Sequence, residues 1–241
     1  MRAQAVARQS VRTVDLVATL SAALDAAVGA SSGHAMRTCF LAMRLAEALG
    51  IGDRHRSALL YASLFHEAGS EHAAGTTGRP AMRRLVVLSS GSEDQRRADE
   101  RARARRGAQV ALRAGVGPEV AVTVMALHEH WDGRGLPIGL AGPAIPLLAR
   151  LVAVCHDLDR LTEERGAGHA EEAIHARAGS WYDPELVDVL LAMCSNGLMR
   201  ELADDDLAGR VADLEPSWLV RRSDGDEARR IRGALGRGRP S

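Results

Sequence analysis

A chain of 241 residues suits one large domain with extensions, and an apolar fraction of 46% is ample for its core. Basic and acidic residues cancel to a formal net charge of zero, which argues against a global field for nucleic acid or a membrane surface. All 31 basic residues are arginine, so no lysine can carry chemistry, and scarce aromatics leave a core of Leu, Val and Ala that favours helices.

The basic N-terminal stretch MRAQAVARQSVR superficially imitates a signal peptide, but Asp15 and Asp25 interrupt the apolar part that follows. Val14, Val17, Leu20, Ala23, Leu24 and Ala27 then recur at helical spacing, predicting an amphipathic helix over 13–28. Ser31, Ser32 and Gly33 break the chain, and a second helix starts near His34 and stops at Gly50. A third follows Asp53 as N-cap and finishes at His66 and Glu67, with Gly69 as its stop. Residues 72–80 read as a loop. Residues 89–106 are a dense mixed-charge stretch, read as a solvated helix or a flexible linker. Pro118 and Glu119 open a helix that ends at 128–130, and Pro146 opens one that runs to Asp159. Asp183, Pro184 and Glu185 supply an N-cap, a first-turn proline and a first-turn acid for another, and a last helix covers 198–214. The tail after Trp218 carries seven arginines, three acids, four glycines and one proline, and reads as disordered. No stretch approaches the roughly 20 apolar residues of a membrane span. Cys39, Cys155 and Cys194 are odd in number and lack CxxC spacing, which suits reduced thiols of a cytoplasmic protein. The fold class expected is all-α, a helical bundle.

Four places concentrate chemistry: His34 at a helix start, His66–Glu67 at a helix end, His128–Glu129 at another, and His156 within the helix after Pro146. Singly, each histidine suits an ordinary core or surface role. Together, imidazoles and carboxylates converging from several helices suit a divalent transition metal.

The ordering resembles the HD superfamily of metal-dependent phosphohydrolases, and within it the HD-GYP branch, whose active members hydrolyse cyclic di-GMP. HEHWDGRGLPIGLAGPAIPLLARLVAV is similar to the branch's signature loop and following helix. GHAMRTCFLAMRLAEALGI looks like the helix that opens these domains on a ligand histidine, here His34. ALLYASLFHEAGS corresponds to the His-Asp doublet and nearby lysine, and YDPELVDVLL to the closing helix. The resemblance implies an HD-domain-like bundle over 30–197, preceded by a packing helix within 1–29 and followed by a connector over 198–220 and an Arg-rich disordered tail over 221–241.

The departures are as specific as the matches. The doublet is His66-Glu67, the lysine falls on Ser70, and Arg103 stands where a ligand histidine is expected if Gly107 marks its motif. The paired histidines become Leu127-His128, the tyrosine of the turn is Leu136, and the aspartate of the later helix falls on His156, beside Asp157. The resemblance then implies metal ligands His34, His66, Glu67, His128 and His156, holding at most one divalent ion such as Fe or Mn. His128 would be a ligand or proton donor. Arg134, in the signature loop, is preferred over Arg103 as the phosphate-holding cation. Two readings stay open. One is a phosphohydrolase acting on a nucleotide or cyclic dinucleotide. The other is a non-catalytic signalling module that binds a ligand or a protein partner. The balanced charge and missing recognition motif argue against a nucleic-acid partner.

Overall fold

The computed structural model describes residues 11–28, 30–69, 93–202, 206–217 and 220–236. In chain order these form β1 (Val11–Arg12), α1 (Thr13–Val28), α2 (His34–Ala48), α3 (Asp53–Phe65), α4 (Glu93–Ala114), α5 (Pro118–Met125), a 3-10 turn (Gly142–Ala144), α6 (Leu147–Arg165), α7 (Ala167–Ala176), α8 (Pro184–Ser195), α9 (Leu198–Glu201), α10 (Leu207–Asp213), β2 (Arg222–Ser223) and α11 (Gly225–Gly236). The architecture is the helical bundle that the sequence predicts. The two short strands pair antiparallel and tie the two ends of the chain together.

Helix α2 is the axis of the core. From His34 to Ala46 nearly every side chain is buried, including Cys39, Phe40, Leu41, Met43 and Leu45. A helix buried on nearly every side must be surrounded. Helices α1, α3, α6 and α10 pack around it. Gly33, in the left-handed region at φ +79°, makes the sharp entry that sets His34 as the first helical residue. Gly33 has no side chain with which to cap α2. Asp25 near the end of α1 does so instead, accepting from the Ala35 N–H at 3.1 Å with a fully buried carboxyl. Burial raises the pKa of Asp25.

Several boundaries differ from the sequence reading: α5 stops at Met125 rather than at 128–130, α6 runs past Asp159 to Arg165, and α7 is a helix that reading lacks. Gly52, not Asp53, occupies the N-cap of α3, and Asp53 is its first-turn acid. The charged stretch is a 22-residue helix, α4, with Gly107 in its interior rather than near its start. The expected last helix is two short ones, α9 and α10. The tail expected to be disordered forms β2 and α11, and α11 packs on α4 and α1 through the buried Ala228, Ile231 and Ala234. Ser70, the 72–80 loop and residues 237–241 lie outside the described residues. Among the described residues no helix is long and apolar enough to cross a membrane.

Candidate metal centre

Helices α2, α3 and α6 converge where α2 begins and α3 ends. His34 opens α2, His66 is the C-cap of α3, Glu67 follows it, and His156 lies midway along α6. One ligand atom from each of these four residues falls within 4.8 Å of all the others. The three imidazoles form a nearly three-fold propeller. Their centroids are 5.1 Å (His34–His66), 5.0 Å (His34–His156) and 5.1 Å (His66–His156) apart, with interplanar angles of 72°, 71° and 72°. Three rings edge to face around a common point leave three nitrogens facing that point.

The outer nitrogens are anchored. His34 Nδ1 lies 2.6 Å from Asp159 Oδ2, His66 Nδ1 donates to the Ser63 carbonyl at 2.5 Å, and His156 Nδ1 is 3.3 Å from Asp157 Oδ1. A carbonyl only accepts, so the Nδ1 of His66 must carry the proton and its Nε2 must present a lone pair. That Nε2 is buried and has no hydrogen-bond partner. A buried nitrogen lone pair is costly to leave unmatched. A cation at the centre of the propeller would match it. Carboxylate or carbonyl partners behind each imidazole are also what holds metal-binding histidines in one tautomer and orientation. Asp159 is itself held by Arg37, whose Nε is 2.6 Å from Oδ1 and whose Nη2 is 3.2 Å from Oδ2. The donor set, three nitrogens and one carboxylate, fits a divalent transition metal.

The charges are unequal. Burial pulls the pKa of His66 down to about 3, so this ring is neutral and ready to ligate. Burial also lowers that of His156, but its bonds to Asp157 and Glu67 outweigh burial and push it up to about 9. Burial would raise the pKa of Glu67. The neighbouring His156, His66 and Arg103 instead hold it well below the ordinary carboxylate range. Glu67 is shared between two cationic directions. Its Oε1 lies 3.8 Å from His156 Nε2 and 3.9 Å from His66 Nε2, while its Oε2 accepts from Arg103 Nη2 at 2.9 Å.

His128, expected as a fifth ligand, is not in this group. Its Nε2 is 3.2 Å from Glu100 Oε1 on α4, and more than a third of its side chain is exposed. Arg134 projects into solvent with 87% of its side chain exposed, 3.9 Å from Asp132. The polar residues of the signature loop mostly hold the loop itself. The buried Glu129 carboxylate accepts from the N–H groups of Ile138, Gly139 and Leu140 at 2.7, 2.9 and 2.9 Å. His130 stacks on Trp181 at 4.3 Å, and Arg150 joins the loop's Trp131 to Asp183, the N-cap of α8. Two further residues of the site are not placed there by the sequence reading. Asp159 appears in it only as a helix end, and Arg103 as a misfit for a ligand and the less favoured phosphate-holding cation.

A family model described as HD domain matches residues 91–186. The 3'3'-cGAMP-specific phosphodiesterase 3 of Vibrio cholerae is 27% identical over 88% of this chain and 55% of its own length. The cyclic di-GMP phosphodiesterase response regulator RpfG of Xanthomonas campestris is 29% identical over 75% of this chain and 48% of its own. The chain thus spans about half the length of the curated relatives it matches. The crystal structure of a cyclic GMP-AMP-specific phosphodiesterase of V. cholerae superposes with a TM-score of 0.85 at 26% identity, covering 95% of this chain and 60% of that one. The matched domain, the similar relatives and the shared architecture agree: over most of its length this chain is similar to HD-domain phosphodiesterases and shares their helical fold.

Proposed function

We propose that this protein is a single-metal phosphohydrolase whose substrates are cyclic dinucleotides. One observation carries the reading. Three imidazoles, each with its outer nitrogen anchored, turn their inner nitrogens and the Glu67 carboxylate toward a common point, where His66 Nε2 has no hydrogen-bond partner. His34, His66, Glu67 and His156 would hold the ion. Its contribution when bound is Lewis acidity toward a phosphoryl oxygen. The imidazole-rich donor set favours zinc or iron(II) over manganese, since manganese prefers oxygen ligands.

The surrounding residues supply the rest. Asp159, Ser63 and Asp157 fix the three rings. His128, paired through Nε2 with Glu100, is the proton donor to the leaving sugar oxygen in its doubly protonated form, which burial opposes and Glu100 supports, so that Nδ1 also carries a proton. The phosphodiesterases similar to this chain make a cyclic dinucleotide the first substrate to try. A second reading, a non-catalytic ligand-binding module, is favoured by the Arg103–Glu67 pair, because a guanidinium already neutralises part of the carboxylate.

Elemental analysis of protein purified without chelator, paired with hydrolysis assays on cyclic di-GMP and 3'3'-cGAMP, separates the two. About one equivalent of metal together with turnover supports the first reading. Metal content of zero even after loading with zinc or iron(II) overturns it and leaves the binding module.

A further inference from the structure

We infer that Arg103 is the substrate-anchoring residue of this site, holding a phosphoryl oxygen beside the histidine cluster. The inference rests on the metal-site reading above and adds the group that meets the anion. A site for a phosphate ester needs a cation at its mouth as well as one at its centre, and this chain has no lysine to offer. Four arginines are the candidates, and their surroundings separate them. Arg37 is committed to the scaffold. Its Nε and Nη2 bind both oxygens of Asp159, Nη2 also reaches Ser31 Oγ, and Nη1 donates to the Ser32 carbonyl at 2.7 Å. Arg101 donates through Nε to the Pro137 carbonyl and holds the signature loop. Arg134 stands in solvent. Arg103 gives one bond, from Nη2, to the outer oxygen of Glu67, whose inner oxygen faces the imidazoles.

Exposure locates Arg103 at the entrance. A third of its side chain is open to solvent, against 11% for Glu67 behind it. A guanidinium has five N–H donors in a planar fork. With one spent on Glu67, the fork retains donors for an incoming oxygen, and the bond to Glu67 fixes its plane next to the cluster. Its backbone is equally constrained. Gly69, two residues after Glu67, lies so close to α4 that a Cβ there would stand 2.3 Å from the Arg103 carbonyl oxygen and 2.9 Å from Gly107 N. On the same helix Glu100 holds His128. Glu100 and Arg103, three residues apart on α4, thus put the partner of His128 and an anion-holding cation on one face.

The test titrates inorganic phosphate into the zinc-loaded 241-residue chain by calorimetry, with metal content measured on each sample. Arg103→Gln is expected to weaken phosphate about 10- to 100-fold, the range for losing a charge-assisted hydrogen bond, with the metal content of the native chain. Arg103→Lys is expected to fall between, because an ammonium keeps the charge but not the fork. Unchanged phosphate affinity in Arg103→Gln overturns the inference. So does loss of the metal in that variant, which would make Arg103 a support for Glu67. If the native chain takes up no zinc, the metal-site reading fails by itself. The same phosphate titration of metal-free native and Arg103→Gln protein then decides for or against Arg103.

Discussion

The two walls of the site are built on opposite plans. The wall made by α2, α3 and α6 is assembled from groups that lack something. Three imidazoles are pinned from behind with their front nitrogens converging, and one of those is buried without a hydrogen-bond partner. The wall made by α4 carries its own charge pairs, Arg103 with Glu67 and Glu100 with His128, although Glu100 Oε1 has no hydrogen-bond partner. The first wall needs a cation and the second brings its own. Glu67 stands between them with one oxygen toward each. The contrast teaches that a site can lose a ligand position to arginine and still keep the total positive charge a phosphate ester requires, provided that the carboxylate is shared.

Breaking the first wall should have the largest effect. His66→Ala removes both the central lone pair and the ring that the other two pack against, and metal retention should fall by more than about 100-fold, beyond the range for losing a supporting partner. Equilibrium dialysis against zinc checks this, and retention of a full equivalent would remove His66 from the ligand set. Asp159→Asn comes next. It leaves His34 in place but weakens the carboxylate behind its Nδ1, and such partners typically contribute about 10- to 100-fold in metal affinity. Native-like affinity in that variant would mean that His34 is oriented by packing alone.

A smaller change separates the walls without touching either set of side chains. Gly69→Ala forces a Cβ into the Arg103 carbonyl, a backbone contact that no rotamer can relieve. Overpacking of this kind costs roughly 1–3 kcal/mol, measurable by urea unfolding. The variant should keep its metal, because His34, His66 and His156 do not depend on α4, but lose the Arg103–Glu67 bond and with it phosphate affinity. Unchanged stability would show that α4 can move away freely and that the two walls are not rigidly joined.

The difference between the walls also explains what could be read from the chain. His34, His66, Glu67 and His156 are visible because each interrupts an apolar helical pattern near a turn or amid the core-forming residues of α6. Their meeting needs only the antiparallel packing that such patterns impose. Asp159 is 125 residues from His34, and nothing local distinguishes it from an ordinary acid near a helix end. Arg103 is visible as a residue of the wrong charge for a ligand and as the less favoured phosphate-holding cation, because its placement depends on two glycines, Gly69 and Gly107, letting backbones approach. Arg134 drew attention through its motif, yet exposure takes it away from any chemistry in the interior. The C-terminal tail reads as disordered for a compositional reason. Its arginines obscure Ala228, Ile231 and Ala234, which recur every three residues and are the buried stripe of α11.

The gentlest probe is pH, and its handle is His156. His156 is the member of the propeller whose pKa is raised, to about 9, so near neutrality a proton occupies the place a metal would take. His66, lowered to about 3, carries no such proton. Metal uptake should therefore release about one proton, and apparent affinity should rise by up to about tenfold per pH unit between roughly 7 and 9, then level off. The metal-free protein should move the other way. A histidine with a raised folded-state pKa stabilises fully below its unfolded value near 6.5, and that contribution is lost as pH climbs through about 9. Calorimetry in buffers of different ionisation enthalpy counts the protons, and thermal melts with and without zinc follow the opposed trends. Affinity independent of pH would mean that His156 is already neutral. The Glu67 carboxylate would then be neutralised chiefly by Arg103, and the balance between the two walls would lie further toward α4 than the geometry of the propeller implies.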